Sequence, residues 1–303
     1  MEETNKRTRK FTNSLCEKLN IMKFIKDTKK YKVKMFYLRD FLNNYWFIPS
    51  DVLQRSIEAN IWDMCNFRRP ILEIGIGNGE ISAGLFKKHN RIDVGIDRDN
   101  SGLETARATN KYNKVLCINA ENMPFKEASF NTVVSNSSFE HIIHDLEAIS
   151  EVGRVLKKGG YFFMTVPSVY LPKWILSYEE KINKNTIKEK LKSFNNRTQH
   201  FHYRSFLEWE KIFLKNNLSI LFHNYYFSRE TVFFWYKLFK IFTYTLNKRE
   251  LWSYIGHSKI SHFIPKKVII NLLEKRFLKD IYKNAFFTNS KEGGQLFIVA
   301  QKK

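Results

Sequence analysis

The 303-residue chain is short of cysteine, of negative charge and of long apolar runs. Its three cysteines, Cys16, Cys65 and Cys117, are an odd number at wide, unpatterned spacing. That spacing excludes a disulfide framework or a thiolate metal cluster, and predicts reduced thiols in or near a core. A membrane-spanning helix needs about 20 consecutive apolar residues. The longest apolar stretch here, Thr231 to Leu246, is interrupted by Lys237 and Lys240. The first residues are polar and basic with no apolar h-region, so no signal peptide is predicted. With a cytoplasmic location expected, the N-x-Ser/Thr triplets at Asn136, Asn196 and Asn217 carry no meaning.

Acid is the more telling shortage, because 30 Asp and Glu face 51 Lys and Arg, leaving a net charge of +21. The excess is uneven: +7 over residues 1–40, −1 over 41–170, +13 over 171–285 and +2 over the remainder. A neutral centre inside basic surroundings implies a polyanionic partner or an anionic surface. The length suits one large domain, or one domain with attachments, and is ample for a buried core.

Against this background, one stretch stands out. Ile71, Leu72 and Ile74 form a buried-strand signal that carries Glu73 and runs into Gly75, Gly77 and Gly79. A second apolar strand, Ile92 to Ile96, delivers Asp97. A strand, a glycine-rich turn opening a helix, and an acid ending the next strand make a nucleoside-binding unit. Glycines let the backbone turn sharply and approach a ligand, and the acid accepts from ribose hydroxyls. A dinucleotide fold needs G-x-G-x-x-G with a pyrophosphate on the helix N-terminus. Here the pattern is Glu-x-Gly-x-Gly-x-Gly, and a carboxylate at Glu73 suits a cationic ligand with an ammonium and a sulfonium.

With these residues the chain resembles class I S-adenosylmethionine (SAM)-dependent methyltransferases, and its later motifs resemble the methyltransferase-11 type. Those motifs are Asn119-Ala120-Glu121-Asn122-Met123-Pro124-Phe125 after a third strand, a fourth strand ending at Asn136, and Phe139-Glu140-His141. Arg154-Val155-Leu156-Lys157-Lys158-Gly159-Gly160 then leads into a fifth strand, Tyr161 to Val166. The resemblance runs from about Pro49 to Ser168. It implies an α/β, Rossmann-like three-layer sandwich whose mostly parallel seven-stranded sheet ends in an antiparallel last strand, Gln295–Ala300. A basic N-terminal extension is expected over residues 1–48 and a methyltransferase domain over 49–303, with a helical insertion at about 228–284.

The same resemblance implies SAM as cofactor. Glu73 would hold its amino-acid part over a floor of Gly75, Gly77 and Gly79, with Asp97 on the ribose and Asn119 and Ala120 at the adenine. Asn136 would lie where the methyl points. The family's usual acids are Asn119 and Asn131 here, which implies weaker charge-assisted contacts. The transfer itself is an in-line displacement that mainly needs alignment, with removal of an acceptor proton where required.

For the acceptor, Asn136-Ser137-Ser138-Phe139 lacks the Pro-Pro-aromatic wording of amino-directed enzymes, and no Pro-Cys pair supports thiol chemistry on cytosine. Candidate bases are His141, His144, His200, His202 and Tyr203, with His141 and His202 as the expected catalytic pair. In the insertion, Phe233 to Phe242 is aromatic-rich with Lys237, Lys240, Tyr244 and Lys248 along a polar stripe. A second helix opened by Pro265 sets Val268, Ile269, Leu272 and Leu273 opposite Lys275, Arg276 and Lys279. Basic amphipathic helices of this kind lie in membrane interfaces. The expected partner is therefore a small-molecule, glycan or lipid-linked acceptor, with an anionic membrane surface contacted peripherally. An RNA methyltransferase and a non-catalytic SAM-fold interaction protein are the alternatives.

Overall fold

The computed structural model describes residues 32–182, 187–246, 249–278, 282, 286 and 291–303. Of the residues named above, Cys16, Lys248 and Lys279 lie outside the described residues, as do residues 1–31 of the extension and the Arg276 side chain. Helices α1 (Met35–Tyr45) and α2 (Pro49–Met64) precede the motif region. Then follow β1 (Ile71–Ile74), α3 (Glu80–Leu85), β2 (Ile92–Asp97), α4 (Leu103–Ala108), β3 (Tyr112–Cys117) and β4 (Phe130–Asn136). A 3-10 turn (Phe139–His141) leads to α5 (Asp145–Val155) and β5 (Leu156–Pro167). Helices α6 (Tyr170–Glu180), α7 (Ile187–Thr198) and α8 (Phe206–Lys215) precede β6 (Leu218–Tyr226). The insertion holds α9 (Arg229–Phe242), a short ribbon of β7 (Thr245–Leu246) and β8 (Arg249–Glu250), α10 (Leu251–His257) and α11 (Lys266–Leu272), and β9 (Gln295–Lys302) closes the chain.

The sheet runs β3-β2-β1-β4-β5-β9-β6. Its first five strands pair in parallel, and β9 lies antiparallel between β5 and β6. Side chains alternate across it, so each face builds its own core. Ile71, Val134, Phe163 and Phe297 face α1, α2, α6 and α9, while Leu72, Val133, Phe162 and Ile298 face α5 and α8. That is the expected three-layer sandwich. Strand order reverses between β1 and β4, and a doubly wound sheet opens its ligand crevice there, beyond the carboxyl ends of the strands.

Several boundaries differ from expectation. The helix opened by the glycine turn, α3, is short and stops at Leu85, and α4 covers only Leu103–Ala108. Asn110 adopts a left-handed φ of 54°, and Thr109 Oγ1 donates to Ala106 O at 2.7 Å, so the second helix is closed locally. Strand β5 starts at Leu156, five residues before the expected Tyr161.

Within the expected extension, α1 buries Tyr37, Leu38, Phe41 and Leu42 against α2. Helix α2 is covered almost throughout, so its polar residues need buried partners. Glu58 is fully buried and accepts from Gln54 Nε2 (2.9 Å), Arg55 Nη1 (2.7 Å), Asn136 Nδ2 (2.8 Å), Ser137 Oγ (3.0 Å) and Tyr226 Oη (3.2 Å).

The aromatic face of α9 is turned inward. Trp235, Tyr236 and Leu238 are buried, Phe194 of α7 meets Trp235, Tyr236 and Phe239 edge-on, and Lys240 Nζ donates to Glu179 Oε1 at 2.8 Å. The sequence shows an amphipathic helix but not what covers it, and here α6 and α7 do. Among the described residues no helix is long and apolar enough to cross a membrane.

Candidate active site

A cavity of about 210 Å³ opens at the switch point beyond β1, β2 and β4. Its walls include Gly75, Gly77, Asp97, Arg98, Asn119, Ala120, Glu121, Ser137, Ser138 and His141, with Ile118 and Ile142 as apolar surfaces.

The glycines divide the work. All three hold left-handed φ values, +78° at Gly75, +51° at Gly77 and +74° at Gly79. A Cβ on Gly75 would sit 2.3 Å from Ser138 Oγ, and one on Gly79 would sit 2.8 Å from Ala106 Cα. These two therefore fit the turn to its neighbours. A Cβ on Gly77, which is part of the cavity wall, would meet no protein atom within 4 Å beyond its chain neighbours. Asp97 stands opposite: its Oδ2 accepts from Gly77 N at 2.8 Å and its Oδ1 from Asp99 N at 2.9 Å. A carboxylate offers about four lone-pair sites, so two protein donors leave capacity for ribose hydroxyls.

Asn119 Oδ1 accepts from Glu121 N at 3.1 Å and its Nδ2 donates to Glu121 Oε2 at 3.0 Å, which fixes the loop beside Ala120. Arg154 holds the same loop from below. It donates to Phe125 O (2.6 Å), Met123 O (2.8 Å) and Glu151, whose Oε2 also accepts from Met123 N (2.6 Å). The two distant motifs are thus one clamp.

Some expected site residues support the cavity without lining it. Glu73 is 1% exposed and points into the layer below, where its oxygens accept from Ser82 Oγ (2.6 Å) and Tyr112 Oη (2.9 Å). Burial pushes its pKa up to about 7, against the pull of those two donors and of Lys111. Asn136 is turned away as well: its Oδ1 accepts from Trp62 Nε1 (2.7 Å) and Thr165 Oγ1 (3.0 Å), and its amide donates to Glu58. The neighbouring Ser137, at a left-handed φ of 47°, takes the place at the wall.

The histidines sort in a way the sequence did not indicate. His141 lines the cavity, and its ring lies 5.1 Å from that of His200. His202 stands apart from this pair, with its Nε2 2.9 Å from Ile143 O and 3.7 Å from Asp145. Gln199 turns through a left-handed φ of 53° after α7, which aims His200 rather than His202 at His141. Burial lowers the pKa of His141, and burial with the charges of His141 and Arg55 lowers that of His200 to about 3. Both rings are neutral at pH 7. Glu140, 3% exposed, completes the group, and burial raises its carboxyl to about 8. Arg98, Ile142 and the buried Glu58 lie outside the quoted motifs, and Glu121, Ser137, Ser138 and Glu140 lie within them without having been given a role.

Residues 72–164 match a family model described as a methyltransferase domain. An uncharacterized protein of Methanocaldococcus jannaschii is 33% identical over 164 residues, which cover 53% of this chain and 59% of that one. A probable S-adenosylmethionine-dependent methyltransferase of Mycolicibacterium smegmatis is 29% identical over 125 residues, covering 41% of this chain and 46% of that one. The chain thus spans about half the length of these curated relatives. Among solved structures, a SAM-dependent methyltransferase from Thermotoga maritima is similar in fold, with a TM-score of 0.50 at 17% identity over 88% of this chain and 99% of that one.

Fold, cavity and match together define a methyltransferase domain. The match over residues 72–164 and the SAM-dependent relatives support assignment of this domain to the class I superfamily, with SAM as the cofactor. The residues present fit that group, since the open space above Gly77 and the Asp97 carboxylate face one cavity that holds Asn119 at its far wall.

Proposed function

We propose that the domain transfers its methyl group to an oxygen of a small-molecule, glycan or lipid-linked acceptor seated at the His141 end of the cavity. When bound, SAM supplies a methyl already activated by its sulfonium, so the chain has mainly to align and desolvate. In this reading Asp97 accepts from the ribose, Gly77 lets the backbone approach, and Ile118, Ala120 and Ile142 enclose the adenine. The observation that carries the acceptor assignment is the convergence of two neutral imidazoles at the rim. Each keeps an unprotonated nitrogen beside the place where an acceptor hydroxyl would lose its proton.

Transfer of labelled methyl from SAM into fractionated extract tests this. Label is expected in the small-molecule or lipid fraction as an alkali-stable ether, and to fall at least about tenfold with His141→Ala. Label in RNA, or no transfer to any fraction, would contradict it.

A separate observation supports a membrane-borne acceptor. Phe263 (88% exposed), Val268 (65%) and Leu272 (49%) stand beside the exposed Lys266 and Lys267. This apolar and basic surface, not the buried aromatic face of α9, would meet the lipid. Co-sedimentation with phosphatidylserine vesicles that Phe263→Glu abolishes is the expected result. No co-sedimentation by the unaltered chain would remove the membrane.

A further inference from the structure

Beside the cavity wall, where His141 stands, a buried acid and a second imidazole converge on it. One donor atom each from Glu140, His141 and His200 lies within 4.8 Å of the others. Glu140 is almost fully buried, yet its Oε2 has no hydrogen-bond partner. A buried carboxylate oxygen without a partner costs about 1–3 kcal/mol or more. Its place in the fold therefore calls for a ligand.

The hydrogen bonds around the rings fix both tautomers. His141 Nδ1 lies 3.1 Å from Gln199 O, which can only accept, so Nδ1 carries the proton and Nε2 the lone pair. Tyr203 Oη donates its single proton to Asn195 Oδ1 at 2.9 Å, and so accepts at 2.9 Å from His200 Nδ1. His200 Nε2 is thereby left as a lone pair too. A ring whose far nitrogen is held by a carbonyl or hydroxyl is the usual outer support of a metal-ligating histidine. The segments that carry the donors are joined by Phe201 N donating to Glu140 O at 2.8 Å. Arg55, the cation whose field reaches both rings, is tied to Glu58 at 2.7 Å.

We propose that Glu140, His141 and His200 bind a divalent transition-metal ion through one carboxylate oxygen and two Nε2 atoms. Two imidazoles and a carboxylate suit Zn²⁺, Fe²⁺ or Mn²⁺ and leave coordination positions open. Bond lengths of about 2.0–2.2 Å at tetrahedral angles set donor separations of about 3.4 Å, so the widest pair of the triad closes by up to about 1.4 Å. Of the three ligands, His141 is part of the cavity wall. The ion's role rests on the methyl-transfer reading above; its binding does not. With both Nε2 lone pairs on the ion the rings no longer serve as bases, and an acceptor hydroxyl on the ion instead releases its proton to solvent, since a bound cation lowers the pKa of a coordinated oxygen. That oxygen then forms the new C–O bond, the C–S bond breaks, and its electron pair stays on sulfur as S-adenosylhomocysteine. The acceptors selected are acidic or chelating oxygens, such as phenols and vicinal hydroxyls.

Titration calorimetry of the metal-free full chain with Zn²⁺ and Mn²⁺, with metal content after dialysis, tests the site. One equivalent of Zn²⁺ is expected at a Kd below about 1 µM. Affinity should fall by more than about 100-fold in Glu140→Gln and His200→Ala, and by about 10–100-fold in Tyr203→Phe, which removes only the outer support. His202→Ala should bind as the unaltered chain does. Circular dichroism identifies a variant that fails to fold, and Tyr203→Phe then decides. Absence of stoichiometric binding, or binding unchanged by both His200→Ala and Tyr203→Phe, overturns the site. SAM calorimetry on the same metal-free chain separates the two readings. Zn²⁺ bound without SAM binding would remove the ion's role and leave the site, whereas SAM bound without Zn²⁺ would remove the site alone.

Discussion

Replacing Glu73 by Gln gives a stability change whose size follows from the structure. The carboxyl is 1% exposed and its pKa is raised by burial from 4.5 to about 7. For an acid raised in the folded state, the folded chain holds the extra proton between those two values. Stability from this group is therefore complete below pH 4.5, is lost as pH rises to about 7, and stays level above. At roughly 1.4 kcal/mol per pH unit the full span corresponds to about 3 kcal/mol. A glutamine keeps the shape, and the hydroxyls of Ser82 and Tyr112 can rotate to suit an amide, but it does not titrate. The effect of Glu73→Gln on unfolding free energy should thus become more favourable by about 3 kcal/mol between pH 4.5 and 8. Urea unfolding of both chains across that range, without SAM, measures the difference. Taking the difference also cancels opposing groups, such as His89, whose pKa burial lowers to about 4. A difference flat to within about 0.5 kcal/mol, or one that favours the acid as pH rises, would show an ionised Glu73 paired with a cation and refute the reasoning.

Three further outcomes follow from particular contacts. Gly77→Ala should abolish SAM binding while costing only about 1–2 kcal/mol of stability, whereas Gly75→Ala, clashing with Ser138, should destabilise by about 2–4 kcal/mol; calorimetry and urea unfolding separate the two. Glu58→Ala strands five donors, Arg55 among them, and should cost about 3–5 kcal/mol in thermal unfolding; a cost below about 1 kcal/mol would contradict the buried network. Arg154→Ala frees the Met123–Phe125 carbonyls, so it should cost about 1–3 kcal/mol and weaken SAM binding, with both measured on the same preparation.

Much of this architecture was legible because it is local. Strands β1 and β2 are marked by the clustered apolar residues Ile71, Leu72, Ile74, Ile92, Val94 and Ile96, and the Glu73 to Gly79 wording marked the turn after β1. The antiparallel last strand followed from the family resemblance, which placed it at Gln295–Ala300. What the sequence withheld depends on contacts between distant segments. The stripe of α9 is plain in the sequence, but only its packing against Phe194 turns Trp235 and Tyr236 inward. His200 and His202 are alike in sequence, and the left-handed Gln199 chooses between them. Glu73 and Asn136 have the expected positions, yet Tyr112 and Trp62 draw their side chains under the cavity. Glu58 sits on a helix whose apolar period gave no hint of a buried acid.

The most direct test of the account is SAM calorimetry on the unaltered chain and on Asp97→Ala. One site per chain is expected, with affinity reduced at least about tenfold when the ribose acceptor is lost, since a charged hydrogen bond is worth about 1.5–3 kcal/mol. No binding by the unaltered chain, or the same affinity in Asp97→Ala, would contradict a SAM site at the glycine turn.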